Sequence, residues 1–231
     1  MARLLVHLEG QTEETFVNEI LRDYLLSVGY ESVSARIVGN ARLRHRRGGI
    51  RPWPSVKRDI IHHLKEDANC IATTMVDYYG LPQEGEGAWP GRKQAANLTS
   101  GERATAVENA LLDDVAAEMG SRFNSRRFVP FVVMHEFEGL LFSDCAGFGR
   151  SIGRSDLETA LQEIRNQFKT PEDINDSPIA APSKRVRDLI PGYEKPLSGS
   201  LAALEIGLDA IRRECPHFNG WLLQLESQIG N

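Results

Sequence analysis

The chain has 231 residues, of which 26% are charged and 41% hydrophobic, and a formal net charge of −5. That composition excludes a disordered or fibrous chain, and the acidic balance excludes a protein that coats nucleic acid or anionic membrane by bulk charge, so any such contact must use a local patch. Cys70, Cys145 and Cys215 form no C-x-x-C pair and read as reduced core thiols. With no secretory signal and no apolar run near the roughly 18 residues of a membrane span, a cytoplasmic protein without membrane contact is expected.

In chain order, residues 2–8 are a nearly unbroken apolar run, the pattern of a strand buried on both faces of a parallel sheet. Thr12 is placed to cap a helix in which Phe16, Val17, Ile20, Leu21, Tyr24 and Leu25 recur at helical spacing up to Gly29. "VSARIV" predicts a second strand, "SVKRDIIHHLKED" a helix entered through the prolines of "RPWP", and "CIATTMVD" a third strand ending on Asp77. A Gly/Pro-rich loop leads to a helix from Glu102 to Met119, and "RFVPFVVM" predicts a fourth strand followed at once by "HEFEGLLF".

Strand alternating with helix predicts an α/β fold: a doubly wound parallel sheet of about four strands with helices on both faces, over residues 1–149. From residue 150 to 231 the strands stop. There a capping box from Ser155 to Glu158, the segments "SLAALEIGLDAIRREC" and "FNGWLLQLESQI", and scattered prolines predict a helical extension packed on the sheet domain.

Ligands of open parallel sheets bind at the carboxyl ends of the strands, and here the first, third and fourth strands end on Glu9, Asp77 and the pair Glu136 and Glu138. Carboxylates gathered from separate strands repel one another unless a cation intervenes, and a hard divalent ion, Mg2+ or Mn2+, takes oxygen ligands. Gly10 lets the chain bend tightly, so Glu13, four positions after Glu9, can face the same edge. Structural readings stand beside these: Glu13 and Glu14 suit the dipole of a helix start, and Glu136 or Glu138 suits a pair with Arg126 or Arg127. Lys184 or Arg185, in "APSKR", is the candidate cation for charge developing on a phosphate, with a solvated basic turn as the alternative.

From Arg36 to Arg58 the chain carries eight Lys/Arg and no acid. Arg42, Arg44, Arg46, Arg47 and Arg51 lie in a Gly-punctuated loop on the acidic edge, where they can hold a phosphate backbone or dock an acidic partner. Trp53, between two prolines, suits packing better than base stacking. No Walker A sequence occurs, His62 and His63 diverge on their helix, and Cys215 beside Pro216 and His217 suits the core better than a nucleophile's role.

The segments "EGQTEE", "GGIRPWPSVKRDI", "TTMVDYYGLP", "FVPFVVMHEFEGLLFSD", "DSPIAAPSKR" and "CPHF" give the whole chain a resemblance to Toprim-like proteins. Most closely it resembles a bacterial family known as domain of unknown function four-two-seven-six, related to the Toprim domains of overcoming-lysogenization-defect nucleases. The resemblance implies acids around Mg2+ for phosphodiester chemistry. By it, Glu9 is the glutamate after the first strand and either a ligand or the general base, Glu13 a second acid one turn later, and Asp77 the first acid of an Asp-x-Asp motif. Tyr79 stands where the second aspartate would be, and Glu136 or Glu138 is available to replace it. The expected function is a Mg2+-dependent nuclease on DNA or RNA, an effector in bacterial anti-phage defence often paired with an ATPase partner. The alternatives are a non-catalytic nucleic-acid-binding or regulatory subunit of that ATPase, and a metal-dependent phosphatase.

Overall fold

The computed structural model describes residues 2–38, 50–174 and 180–229. Its parallel sheet is built from β1 (Arg3–Leu8), β2 (Ser32–Ile37), β3 (Cys70–Asp77), β4 (Phe128–Val129) and β5 (Val132–Val133), in the order β2-β1-β3-β4, with β5 also paired to β3. Every pairing is parallel, so β1 and β3 end at the same rim, as the alternation of strand and helix predicts. All eight residues of β3 are buried, as in a central strand of a parallel sheet covered on both faces.

β1 is followed by α1 (Gln11–Phe16), which passes through a π-helical turn (Val17–Leu21) into α2 (Arg22–Val28). The expected cap at Thr12 is not formed. Gly10 in an extended conformation starts α1, and Thr12 is buried as its second residue, where its side chain packs rather than caps. α3 (Trp53–Glu66) begins on the predicted prolines, and Trp53 is a packing residue whose indole N–H donates to Asp114. After β3 come α4 (Arg92–Ala95) and α5 (Ser100–Met119), the latter opened by a capping box between Thr99 and Glu102 that the sequence reading did not anticipate.

The single fourth strand expected from "RFVPFVVM" is two short ones. Pro130 has no N–H for a ladder, and the neighbouring Phe131 turns both its N–H and its C=O to the Thr74 hydroxyl, each at 2.9 Å. Beyond β5 a 3-10 helix (Phe137–Ser143) leads into α6 (Cys145–Ser151).

The C-terminal third holds α7 (Glu158–Arg165), α8 (Pro182–Leu189), a second π-helical turn (Lys195–Gly199), α9 (Ser200–Glu214) and α10 (Pro216–Ser227). Two local expectations fail here. Ser155 opens a 3-10 turn (Ser155–Leu157), with Arg154 and Asp156 paired across it, and caps nothing. α9 is interrupted at Gly207, whose φ of 77° breaks the helical path.

β3 divides the core into two faces: Ile71 and Met75 join one cluster, Ala72 and Val76 the other. The first continues from Leu4, Val6 and Phe16 to Ile206, Trp221 and Leu225, so the C-terminal helices cover the same face as α1. The second lies under α3 and α5. Among the described residues no helix is long and apolar enough to cross a membrane.

Candidate functional site

At the carboxyl rim, Glu9 leaves β1, Asp77 ends β3 and Glu138 lies in the 3-10 helix after β5. Two glycines let the acids come close to backbone. A Cβ on Gly10 would stand 3.1 Å from Glu13 Oε2, and one on Gly80 would stand 3.2 and 3.3 Å from the two oxygens of Glu9. Backbone donors fix two carboxylates further: the Asp77 N–H reaches Glu9 Oε2 at 3.3 Å, and the Phe137 N–H donates to Asp77 Oδ1 at 2.9 Å.

What the acids surround is an ammonium. Lys195 Nζ lies 3.0 Å from Asp77 Oδ2, 3.1 Å from Glu138 Oε2 and 3.6 Å from Glu13 Oε1. Glu138 is fully buried, and neither of its oxygens accepts a hydrogen bond. One positive charge cannot balance this many carboxylates, and burial among like charges raises the pKa of three of them. Burial, then the charge of Asp77, pushes Glu9 up to about 8. Burial pushes Glu138 up to about 7, with Asp77 and Glu136 adding to the shift against the pull of Lys195. Burial and Asp77 raise Glu13 as well. For Lys195, burial works against the charge, but Asp77, Glu138 and Glu13 outweigh it and hold the ammonium firmly protonated.

The structure therefore brings together Glu9, Glu13, Asp77 and Glu138, and sets Glu136 apart: its Oε2 accepts from the Ser183 N–H in the first turn of α8. Neither Glu136 nor Glu138 pairs with the arginines considered for them, since Arg127 donates to the carbonyls of Cys70, Leu64 and Asp67, and Arg126 reaches the carbonyl of Ser227. Tyr79 does not replace an acid; its ring lies 5.3 Å from that of His135. Lys195, not Lys184, is the cation at the acids: Lys184 is exposed on α8, and Arg185 donates to the Ala180 carbonyl with its guanidinium over the Phe168 ring. Arg51 donates to Ser55 Oγ, while Arg42, Arg44, Arg46 and Arg47 lie outside the described residues.

Sequence reasoning missed Lys195 because "GYEKPLSG" has the look of a solvated turn. The available signal was electrostatic: several carboxylates predicted at one rim demand a nearby positive charge.

With Lys195 in the middle, no group of three or more His, Cys, Asp or Glu side chains among the described residues is disposed to hold a metal ion as it stands. The donor chemistry nevertheless fits one. All four side chains offer carboxylate oxygens, the ligands hard divalent cations take, and Glu138 Oε1 is buried with no hydrogen-bond partner.

The model of the family described as "Domain of unknown function (DUF4276)" matches residues 8–226. The chain belongs to this family. Among solved structures, the DUF4276 chain is similar to the C-terminal region of the Xanthomonas campestris pv. campestris OLD protein. The form phased with iodine is 13% identical with a TM-score of 0.39, and the form phased with mercury is 14% identical with a TM-score of 0.40; each comparison covers 100% of this chain and 97% of that one. No curated protein matches. Family membership rests on the sequence match alone, and the acids at the rim fall inside the matched residues.

Proposed function

We propose that this protein is a Mg2+- or Mn2+-dependent nuclease that hydrolyses phosphodiester bonds of DNA or RNA. The observation that carries the reading is the meeting of Glu13, Asp77 and Glu138 on a single cation, with Glu9 held against the backbone of Asp77. Buried carboxylates with unmet charge are costly to keep unless a ligand uses them. Asp77, Glu138, Glu13 and Glu9 are the residues that would hold a divalent ion. Such an ion would supply activation of water and charge to offset that developing on a phosphodiester.

The chain's own groups have matching tasks. Glu9, held by the Asp77 N–H beside the other acids, is placed to serve either as a further ligand or as the group that takes a proton from attacking water. The Phe137 N–H fixes the Asp77 carboxylate so that its other oxygen faces the cluster. The arginine-rich segment is the proposed grip on the phosphate backbone. The motif resemblance to Toprim-like proteins supports the same chemistry and a role as a defence effector working with an ATPase.

Incubation with single- and double-stranded DNA, RNA and a small phosphomonoester, with and without Mn2+, tests the reading. Metal-dependent cleavage of a polynucleotide that Glu9→Ala and Asp77→Ala abolish is expected. Cleavage unchanged in both variants rejects it, and activity on the monoester alone favours a phosphatase. A second reading, a non-catalytic nucleic-acid-binding or regulatory subunit, is favoured by Tyr79 in the place of the second acid, and predicts nucleic-acid binding without metal uptake.

A further inference from the structure

We propose that Lys195 is a tethered counter-ion: it occupies the position of the divalent cation, excludes monovalent ions from the acids, and is exchanged out when a divalent ion enters. The inference rests on the metal-site reading above and adds to it how entry is controlled. Nζ sits within 3.0 to 3.6 Å of Asp77, Glu138 and Glu13, whose oxygens are the ones a metal would take. An ion bound at about 2.1 Å to the same oxygens would crowd the ammonium and repel it, so the two positive charges are alternatives.

Lys195 also cannot satisfy the cluster. Its ammonium is shared among three carboxylates, and Glu138 Oε1 still lacks a hydrogen-bond partner in a fully buried position. An ion of charge two and higher coordination number serves more of those oxygens. Monovalent ions offer no more charge than the tethered ammonium, which competes at high local concentration because it is part of the chain.

The exit is also present. The Lys195 side chain is 30% exposed and carried on a flexible four-carbon stem, and its backbone opens a π-helical turn; both its chain neighbours, Glu194 before the turn and Pro196 within it, are exposed. The far end of that turn is anchored, with a Cβ on Gly199 falling 3.0 Å from Tyr193 Oη and 3.3 Å from Thr12 Cγ2. The stem can swing to the rim while the turn stays in place.

Two measurements on the full chain test the exchange. Calorimetric titration with Mn2+ of the wild type and of Lys195→Met is expected to show about tenfold tighter binding by the variant. Acetylation of lysine amines, read by mass spectrometry, is expected to show labelling of wild-type Lys195 rising with Mn2+ and not with Na+ at equal ionic strength. Mn2+ binding by Lys195→Met alone shows Lys195 blocking the site without leaving it, and overturns the exchange. Equal or weaker binding by the variant overturns it and leaves the metal reading standing, whereas binding by neither protein overturns both. Should Lys195→Met fail to fold, the wild-type labelling decides: labelling that stays low while Mn2+ binds overturns the exchange.

Discussion

Glu172 and Glu138 are both buried glutamates met by segments of the C-terminal third, yet their charges are answered in opposite ways. Glu172 accepts the backbone N–H groups of His217 and Phe218, at 2.9 and 2.8 Å, in the first turn of α10. Beside it Glu108 accepts both His217 Nε2 and the N–H of Val132 on edge strand β5. Every charge there has a fixed donor, and the group acts as a joint binding α10 and α5 to the sheet edge. Glu138 leaves Oε1 without a hydrogen-bond partner and shares one ammonium with two other acids. A satisfied buried charge is structure; the unsatisfied one, held among like charges at a strand rim, is the place proposed for a ligand.

That contrast breaks most readily at the joint. Glu172→Ala removes two hydrogen bonds to a charged acceptor and uncovers a helix start, so a loss of about 3 kcal/mol is expected, near 10 °C in thermal midpoint, with Mn2+ affinity unchanged. A midpoint within a degree of wild type would show that the joint carries no load.

The pH dependence of metal-free stability comes next. A carboxyl whose pKa is raised in the folded state binds its proton more tightly there than in the unfolded chain. Its contribution is therefore fully present below about 4.5 and lost as pH rises through about 7 for Glu138 and about 8 for Glu9. From Glu138 alone the decline is on the order of 3 kcal/mol. Denaturant melts between pH 5 and 8 should show it, and Mn2+ should restore stability at pH 8. A flat profile would mean that the cluster is not short of positive charge.

Glu138→Gln should act in the direction opposite to Glu172→Ala. With the buried charge gone, metal-free stability at pH 8 is expected to rise by about 1 kcal/mol in urea melts while Mn2+ affinity collapses. Destabilisation would place Glu138 with the structural acids. The smallest effect is at Gly80→Ala, where the new methyl must push the Glu9 carboxylate aside by a few tenths of an ångström. Stability should change by less than about 0.5 kcal/mol and Mn2+ affinity by about threefold, measurable by calorimetry.

The same contrast marks what the sequence could reveal. β1 and β3 are largely buried parallel strands rich in apolar residues, and Glu9 and Asp77 follow or end them, so fold and two acids were legible from local pattern. Glu138, not Glu136, joins the cluster because the 3-10 helix after β5 turns alternate acids to different partners, a choice that no spacing rule encodes. Lys195 arrives from 118 positions beyond Asp77, delivered by packing of the C-terminal helices. The split of the fourth strand depended on the Thr74 hydroxyl on a neighbouring strand. What local chemistry decides was readable; what tertiary placement decides was not.

Diffraction from crystals soaked in Mn2+, with anomalous scattering locating the metal, tests the central claim most directly. A peak is expected at the rim within about 2.5 Å of oxygens of Asp77 and Glu138. Crystals that leave Lys195 between those two carboxylates and show no peak there, at Mn2+ concentrations that saturate other divalent-cation sites, would contradict it.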